Sequence, residues 1–376
     1  MKIIIAPDSF KGSVSAIDVA KNIEIAIHAV EPSTQTVIMP VADGGEGTVD
    51  AIASCVAAEI HNIKVCGPMK EEAQGYYATI ENGMTAVIEM AQASGLPMVP
   101  VEKRNPWYAT TYGTGQMIKD ALDRGVKKII IGIGGSATND GGAGALMALG
   151  ASFLDAEGNE LDLGGGALSK LTTLDLSQFD KRIFETEIVV ACDVTNPLTG
   201  PMGASYIYGP QKGANPEMVA QLDAALEHFA EVSKEVLGED FSVCPGAGAA
   251  GGLGFALLAF CKAKFAAGID IVLDVCGFEK ELESADLVIT GEGRIDGQSV
   301  CGKVLYGIGM RAKEQNVPVV AIGGGVKEES EALLDCGISA MFSIANGPMT
   351  LEYAMEHGAE LIRQVAKNIM RVFLMK

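Results

Sequence analysis

The segment from Lys128 to Gly144 reads KIIIGIGGSATNDGGAG, and it contains the pattern that decides the fold. Its opening run, Lys128–Ile133, is short and apolar, which predicts a strand buried on both faces. Glycines and small polar residues follow, and an apolar helix is predicted over Ala145–Leu149. A buried strand that ends in a polar turn and leads into a helix is the repeating unit of α/β proteins with parallel sheets.

The same unit recurs along the chain. Short apolar runs, each closed by a turn that carries glycine or aspartate, predict strands at Lys2–Ala6, Thr36–Val41, Lys128–Ile133, Glu187–Ala191, Asp286–Ile289, Val317–Ile322 and Ala340–Ile344. In parallel sheets that helices cover on both faces, ligands bind at the carboxyl ends of the strands. We therefore expect the functional residues in the turns that follow these strands.

One region has a different pattern, because three short strands are predicted close together at Ile63–Val65, Gly75–Ile80 and Thr85–Glu89. The dipeptide Asn82-Gly83 between the last two is a strong hairpin signal. An antiparallel meander among parallel units indicates an inserted second domain. We predict a discontinuous terminal α/β domain of residues 1–62 and 283–376, and an inserted α/β domain of residues 63–282.

The composition excludes several classes of protein. The chain has 376 residues and a formal net charge of −20, and 6% of its residues are aromatic. That charge repels nucleic acid and anionic membranes, and the scarcity of aromatic residues argues against base stacking. The eight cysteines form no C-x-x-C pair, and the N-terminal run reads as a strand rather than a signal peptide. We expect a cytoplasmic protein that binds neither nucleic acid nor membrane.

Histidine chemistry is also excluded. The chain has four histidines, and all lie outside the glycine-rich turns. Histidine-based triads and H-E-x-x-H zinc sites are therefore not expected. Phosphoryl transfer remains, because it needs little beyond positioning and the neutralisation of charge.

The turn after Lys128–Ile133 is the strongest candidate for binding a polyphosphate. Its glycines expose consecutive N–H groups, and its polar side chains add further donors. It is not a Walker A loop, because no Lys-Ser/Thr pair follows. The nucleotide-binding residues predicted here are Gly134, Gly135, Ser136, Thr138 and Asn139.

The turn after the first strand combines a carboxylate, a hydroxyl and an ammonium group just before a helix. Lys11 can hold a phosphate or a carboxylate, and we predict it as a catalytic residue, with Asp8 and Ser9 in contact with substrate. The alternative is a capped turn with Lys11 in solvent. After the second strand, Asp43 lies in an acidic, glycine-rich turn that suits Mg²⁺ carried by ATP, although a solvated turn would look the same.

Asp193 follows the strand Glu187–Ala191 and is predicted to take the proton of an acceptor hydroxyl or to orient it. A structural Asx-turn is the alternative for this residue. Asn196, shortly after it, and Lys212, in a later tight turn, are predicted to contact substrate.

The turn after the strand Asp286–Ile289 carries three charged candidates. Arg294 could hold a phosphate or carboxylate in a fork and is predicted to bind substrate. Glu292 and Asp296 could hold metal or ribose, and we predict that Mg²⁺ is held by carboxylates among Asp43, Asp296 and Asp8. These charges could equally pair with each other in a surface loop.

These motifs resemble the bacterial glycerate kinases that begin with a P-D-S-F-K-G-S signature. The resemblance runs in collinear order over nearly the whole chain, through Pro7–Ser13 (PDSFKGS), Pro40–Thr48 (PVADGGEGT), Ile88–Leu96 (IEMAQASGL), Ile131–Gly144 (IGIGGSATNDGGAG), Ala191–Pro197 (ACDVTNP), Gly209–Ala214 (GPQKGA), Pro245–Gly254 (PGAGAAGGLG) and Thr290–Ser299 (TGEGRIDGQS). It implies transfer of phosphate from ATP, with Mg²⁺, to D-glycerate, and two α/β domains with the active site between them. One departure is the bulky pair Trp107-Tyr108, where smaller residues are common.

Together these observations predict an ATP-dependent glycerate kinase that makes 2-phosphoglycerate, with 3-phosphoglycerate as the alternative product. The terminal domain is predicted to be Rossmann-like with a parallel sheet, and the larger inserted domain to be flavodoxin-like with a short antiparallel meander. Two other functions stay open, a kinase for another small sugar acid or hydroxy acid, and a non-catalytic sensor of such acids. An NAD-dependent oxidoreductase is not expected, because the G-x-G-x-x-G match at Gly246–Gly251 follows no buried strand.

Overall fold

The structure is a computed structural model that describes residues 1–300 and 304–375. It contains strands that alternate with helices over most of its length. In chain order the strands are β1 (Lys2–Pro7), β2 (Gln35–Ile38), β3 (Glu59–Cys66), β4 (Glu72–Ile80), β5 (Thr85–Glu89), β6 (Lys128–Gly132), β7 (Ser152–Leu154), β8 (Thr173–Asp175), β9 (Glu187–Ala191), β10 (Lys264–Ala266), β11 (Leu287–Glu292), β12 (Val319–Gly323) and β13 (Ile338–Ser343).

The helices lie between these strands, and several short ones flank the turns that carry polar residues. In chain order they are α1 (Ala16–Val30), α2 (Thr48–Cys55), α3 (Ala91–Ser94), α4 (Tyr112–Asp123), α5 (Ala143–Ala148), α6 (Ala204–Tyr208), α7 (Pro216–Leu237), α8 (Leu253–Cys261), α9 (Gly268–Cys276), α10 (Phe278–Leu282), α11 (Val304–Glu314), α12 (Ala332–Asp335), α13 (Leu351–Glu356) and α14 (Gly358–Phe373). No helix in the described ranges is long and apolar enough to cross a membrane.

The terminal sheet is wholly parallel and has the strand order β13-β12-β11-β1-β2. Strand β1 lies inside it, and its residues Ile3, Ile4 and Ile5 are fully buried. Each such side chain contributes roughly 1.5–3 kcal/mol of stability by leaving water. The apolar run at the N-terminus is therefore explained by a strand that helices cover on both faces.

Helix α1 shows how sequence pattern sets the packing of this sheet. It begins where Ser15 caps it, because the Ser15 hydroxyl accepts a hydrogen bond from the Asp18 N–H at 3.1 Å. Val19, Ile23 and Ile27 recur at four-residue spacing, so they form one buried stripe. That stripe packs with apolar residues of α14 in one core cluster on a face of the terminal sheet.

The larger sheet is mixed and has the order β10-β9-β6-β5-β4-β3. Strands β10, β9, β6 and β5 run parallel, whereas β4 is antiparallel to β5 and β3 is antiparallel to β4. Asn82 adopts φ 56° in the turn between β4 and β5, a left-handed conformation that asparagine tolerates better than most residues. Strands β7 and β8 form a separate small hairpin.

The predicted α/β class, with its parallel sheet and antiparallel meander, is confirmed. The strand order of the terminal sheet specifies its type more closely than the predicted term Rossmann-like. Numbered along the chain, the terminal sheet has the order 2-1-3-4-5, which is the flavodoxin type and not the order of the dinucleotide-binding fold. Strand order depends on where each crossover helix returns the chain, and hydrophobic periodicity does not record that.

Other differences concern the ends of elements. Strand β2 ends at Ile38, earlier than the predicted Val41, although Met39 and Val41 still donate backbone hydrogen bonds to Ile5 and Pro7. Pro40 lies between these two donors, and the N–H that it lacks is not one of those that pair β2 with β1. The three-residue strands β7, β8 and β10 were not predicted, since so short a run shows no periodicity.

The chain divides into two compact units. The first, which we call the terminal unit, comprises residues 1–43, 50–57 and 267–376, and the second, the larger unit, comprises residues 44–49 and 58–266. Arg311 of α11 links α9 to the rest of the terminal unit through ion pairs with Asp270 at 2.9 Å and Asp274 at 2.6 Å. The domain limits from sequence, 1–62 with 283–376 and 63–282, remain a proposal.

Candidate active site

In the terminal unit, two carboxylates lie next to each other at the carboxyl edge of the sheet. Strands β1 and β11 are parallel neighbours in which Pro7 pairs with Gly291. The Asp8 N–H continues this ladder by donating to the Gly291 carbonyl at 2.8 Å. Asp8 therefore lies beside Glu292, the last residue of β11, at the edge where α/β sheets bind ligands.

A cavity of about 290 Å³ opens at this edge, and we call it the acidic cavity. It contains three carboxylates and two cationic side chains. Its lining residues are Asp8, Ser9, Lys11, Asp43, Glu292, Gly293, Arg294 and Val304. The structure thus brings together the predicted residues Asp8, Ser9, Lys11, Asp43 and Arg294, which come from three separate turns.

The electrostatics of the acidic cavity favour a cation. Burial raises the pKa of Asp8 to about 7, and the negative charges of Asp43 and Glu292 add to the rise. The Ser9 N–H, which donates to Asp8 at 2.6 Å, and the Lys11 ammonium oppose it. A divalent cation near these carboxylates would favour their ionised forms.

The residues fit Mg²⁺ that arrives with a nucleotide better than a cage built by protein alone. Within residues 1–300 and 304–375 no group of three or more His, Cys, Asp or Glu side chains is arranged to hold a metal ion by itself. Mg²⁺ in nucleotide sites takes one or two protein carboxylates and completes its shell with phosphate oxygens and water. Asp8, Asp43 and Glu292 offer oxygens of that kind.

Two of the residues predicted as metal ligands lie in different surroundings. Asp43 lines the acidic cavity, whereas Asp296 is not among its lining residues and pairs with Arg294 at 3.0 Å. The Arg294 side chain is 63% exposed, so this ion pair adds little to stability. Glu292, and not Asp296, lines the acidic cavity near Asp8, and it accepts a hydrogen bond from Ser299. The position of Glu292 at the end of a predicted strand was the sequence signal that could have identified it as a site residue.

A second group of predicted residues lies at the carboxyl edge of the larger sheet. Gly132 of β6 pairs with Ala191 of β9, so the turn that contains Gly134 and the turn that contains Asp193 leave adjacent strands. Asp193 is exposed there. This placement suits a carboxylate that contacts a small ligand.

Glycines at this edge let two turns approach closely. A Cβ at Gly132 would lie 2.3 Å from the Gly44 carbonyl oxygen, and one at Gly134 would lie 2.9 Å from the Gly45 Cα. The Gly44–Gly45 turn therefore rests on the start of the predicted phosphate loop. Part of the glycine content that suggested ligand binding is explained by this packing.

The rest of the predicted phosphate loop is largely buried. Gly134 and Gly135 reach the surface, but the side chains of Ser136, Thr138 and Asn139 lie in the interior. The Asn139 amide donates to the Ser205 hydroxyl at 2.9 Å, and the Thr138 hydroxyl donates to the Ala250 carbonyl at 3.4 Å. The side chains of Thr138 and Asn139 thus form hydrogen bonds within the protein interior and hold this loop in place.

Lys212 lies in the same interior and is 2% exposed. Its ammonium donates to the Ser136 hydroxyl at 2.7 Å and to the Thr138 carbonyl at 2.6 Å. Burial lowers the pKa of Lys212 to about 7, and the negative charge of Asp140 opposes that shift. The structure thus gives Lys212 contacts with the loop rather than with solvent.

The side chains of Asn196 and Trp107 also make contacts within the larger unit. Both ends of the Asn196 amide are engaged, because Nδ2 donates to the Met202 carbonyl and Oδ1 accepts from the Tyr208 hydroxyl, each at 2.7 Å. Trp107 packs against Gly166, where a Cβ would lie 2.0 Å from its ring. The ring of Trp107 is therefore accommodated by a glycine within the same unit.

The comparisons with known proteins agree over the whole chain. The sequence profile of the family described as the glycerate kinase family matches residues 3–374. The chain is 50% identical over 369 residues to a glycerate kinase of Bacillus subtilis (strain 168), covering 98% of this chain and 97% of that one. It is 48% identical over 369 residues to a glycerate 2-kinase of Escherichia coli (strain K12), covering 98% and 97%.

A solved structure supports the same relationship. The crystal structure of a protein from Salmonella typhimurium LT2, assigned as a glycerate kinase 2, is similar with a TM-score of 0.89 and 47% sequence identity. The match covers 99% of this chain and 98% of that one. The predicted enzyme class, a phosphotransferase with an alcohol group as acceptor, is confirmed by this relationship, and the chain belongs to the glycerate kinase family.

Proposed function

We propose that this protein transfers the γ-phosphate of ATP to D-glycerate and forms 2-phospho-D-glycerate and ADP in the cytoplasm. The observation that carries the proposal is the acidic cavity, where Asp8, Asp43 and Glu292 meet Lys11 and Arg294 at the edge of a parallel sheet. A relative that is 48% identical is a glycerate 2-kinase, which supports the 2-position as the site of phosphorylation.

The charges in the acidic cavity suit phosphoryl transfer. This reaction depends on positioning and on neutralising charge that spreads over the phosphate oxygens. Lys11 and Arg294 are cationic side chains that can bind anionic groups of the substrates. One or two of the carboxylates of Asp8, Asp43 and Glu292 would hold Mg²⁺, which, when bound with ATP, neutralises phosphate charge.

Asp193 is the candidate for contact with the acceptor hydroxyl. Its exposed carboxylate, at the end of β9, can accept a hydrogen bond from a hydroxyl group and orient the oxygen for attack. The backbone of Gly134 and Gly135, on the neighbouring turn, offers N–H groups that suit a carboxylate or phosphate. We therefore propose that this edge of the larger unit contributes to substrate binding.

An assay of ADP release with D-glycerate, L-glycerate and a panel of other small hydroxy acids tests the substrate. We expect D-glycerate to give the highest kcat/KM. Phosphorus NMR of the product then decides the position, because phosphate on the 2-oxygen couples to one proton and on the 3-oxygen to two. A doublet is expected, and a triplet would assign 3-phosphoglycerate. Preference for another acid would support the rival kinase, and binding without turnover would support the sensor.

A pair of variants tests the acidic cavity itself. Asp43→Asn should raise the Mg²⁺ concentration for half-maximal rate about tenfold or more, because one candidate ligand loses its charge. Glu328→Gln is the matched control, since Glu328 is exposed and lines no part of the cavity. Equal Mg²⁺ dependence in the two variants would remove Asp43 from the proposed metal site.

A further inference from the structure

A second cavity in the terminal unit has a different chemistry from the acidic cavity. It measures about 450 Å³, within the range that small ligands and cofactors occupy in proteins. We call it the apolar cavity, because its wall includes Phe10, Val326, Ile344, Leu351, Ala354 and Met355. It shares Lys11, Gly293 and Arg294 with the acidic cavity, so the two are adjacent along one sheet edge.

The wall formed by α13 leaves apolar surface in contact with water. Leu351 is 71% exposed and Met355 is 38% exposed. The helix is held in place, since the Ser13 hydroxyl donates to the Met355 carbonyl at 2.6 Å and the Thr350 hydroxyl caps the Tyr353 N–H at 3.2 Å. Apolar surface that a fixed element presents beside a cavity is stabilised when a ligand covers it.

Cationic side chains also line this cavity. Lys11, Arg294 and Lys327 all line the cavity, although the whole chain carries a net charge of −20. Arg294 also pairs with Asp296 at 3.0 Å, so the positive charge that favours an anionic ligand comes mainly from Lys11 and Lys327. The ligand that matches both features has an apolar part and an anionic part.

We propose that the apolar cavity binds the purine nucleoside of ATP, with the phosphates directed past Lys11 and Arg294 into the acidic cavity. This rests on the proposed function for the identity of the phosphate donor. Glycerate is a poor occupant, because its hydroxyl and carboxylate groups offer little apolar surface to cover Leu351 and Met355. The assignment moves the nucleotide from the Gly134–Asn139 loop to the terminal unit.

The glycines of this edge supply a direct steric probe. A Cβ at Gly325 would meet no atom within 4 Å, so a side chain there extends into open space beside the cavity. Gly324 cannot serve, because its Cβ would lie 2.4 Å from the Gly293 carbonyl oxygen. Gly347 also has no neighbour within 4 Å and lies outside the cavity lining, which makes it a matched control.

Calorimetry with ADP, adenosine and inorganic tripolyphosphate tests the proposal on the full chain. Gly325→Val should weaken ADP and adenosine binding about tenfold or more and leave tripolyphosphate binding unchanged, whereas Gly347→Val should alter none of the three. Lys327→Gln should weaken ADP and tripolyphosphate several-fold and leave adenosine unchanged. Circular dichroism and the melting temperature establish that each variant is folded.

Two results would overturn the assignment, and a third would overturn only the proposed function. ADP affinity that is unchanged in folded Gly325→Val and Lys327→Gln removes the nucleoside from this cavity. Loss of D-glycerate binding with intact ADP binding would give the cavity to the acceptor instead. ADP binding could follow the predicted pattern across the variants while the wild type phosphorylates no hydroxy acid. That result would overturn the proposed function and retain this site. If Gly325→Val does not fold, Lys327→Gln and Met355→Ala decide the question by the same titrations.

Discussion

Replacing the buried Lys212 with methionine should change how the stability of the larger unit depends on pH. The ammonium lies among the buried groups Ser136 and Thr138, and burial lowers the pKa of Lys212 to about 7. In the unfolded chain a lysine keeps its proton up to about pH 10.4. Lys212→Met has a similar length and no titratable group, so it removes this difference.

The sign and size of this pH dependence follow from the number of protons that the folded and unfolded states bind. Between about pH 7 and pH 10 the unfolded state holds one more proton at Lys212 than the folded state, so stability rises with pH in this window. The slope for one proton is about 1.4 kcal/mol per pH unit. From pH 7.5 to 9.0 the wild type should therefore gain roughly 2 kcal/mol relative to Lys212→Met.

Urea unfolding followed by tryptophan fluorescence measures this effect in the larger unit. Trp107 is the single tryptophan of the chain and belongs to that unit. The free energy of unfolding is compared for wild type and Lys212→Met at both pH values, with equal urea slopes as the control for the extent of unfolding. A wild-type minus variant difference that is the same at both pH values would show that Lys212 keeps an ordinary pKa.

Four other outcomes are expected. Asp193→Asn should lower kcat by about a hundredfold and leave ADP affinity within twofold, and near-normal kcat would reduce Asp193 to a turn residue. Lys11→Met should lower kcat/KM by about a hundredfold because an anion loses a charged partner, as steady-state kinetics with both substrates would measure. Removal of divalent cations with a chelator should abolish ADP release, and Mg²⁺ should restore it. Gly166→Ala should destabilise the larger unit by about 1–3 kcal/mol and shift the Trp107 emission, because its Cβ would lie 2.0 Å from that ring.

The positions of the charged residues show what could be anticipated and what could not. Asp8, Lys11 and Asp43 were recognised because each follows an apolar run, and the structure places all of them in the acidic cavity. Lys212 and Asn139 stood in equally suggestive turns, yet both are buried and bonded within the protein. A glycine-rich turn has the same local signature whether it binds a ligand or packs against a neighbour.

Sequence by itself determined the features of this protein that depend on near neighbours along the chain. Apolar runs and helical spacing indicated the α/β class, Asn82-Gly83 marked the hairpin between β4 and β5, and collinear motifs indicated the family. Only the tertiary structure decided which strand ends are adjacent and which polar groups are buried. Ala6 and Thr290 are joined by a hydrogen bond across 284 positions, and this pairing brings Asp8 beside Glu292. Such contacts follow from how whole helices and strands pack, and a local pattern of side chains carries no record of that packing.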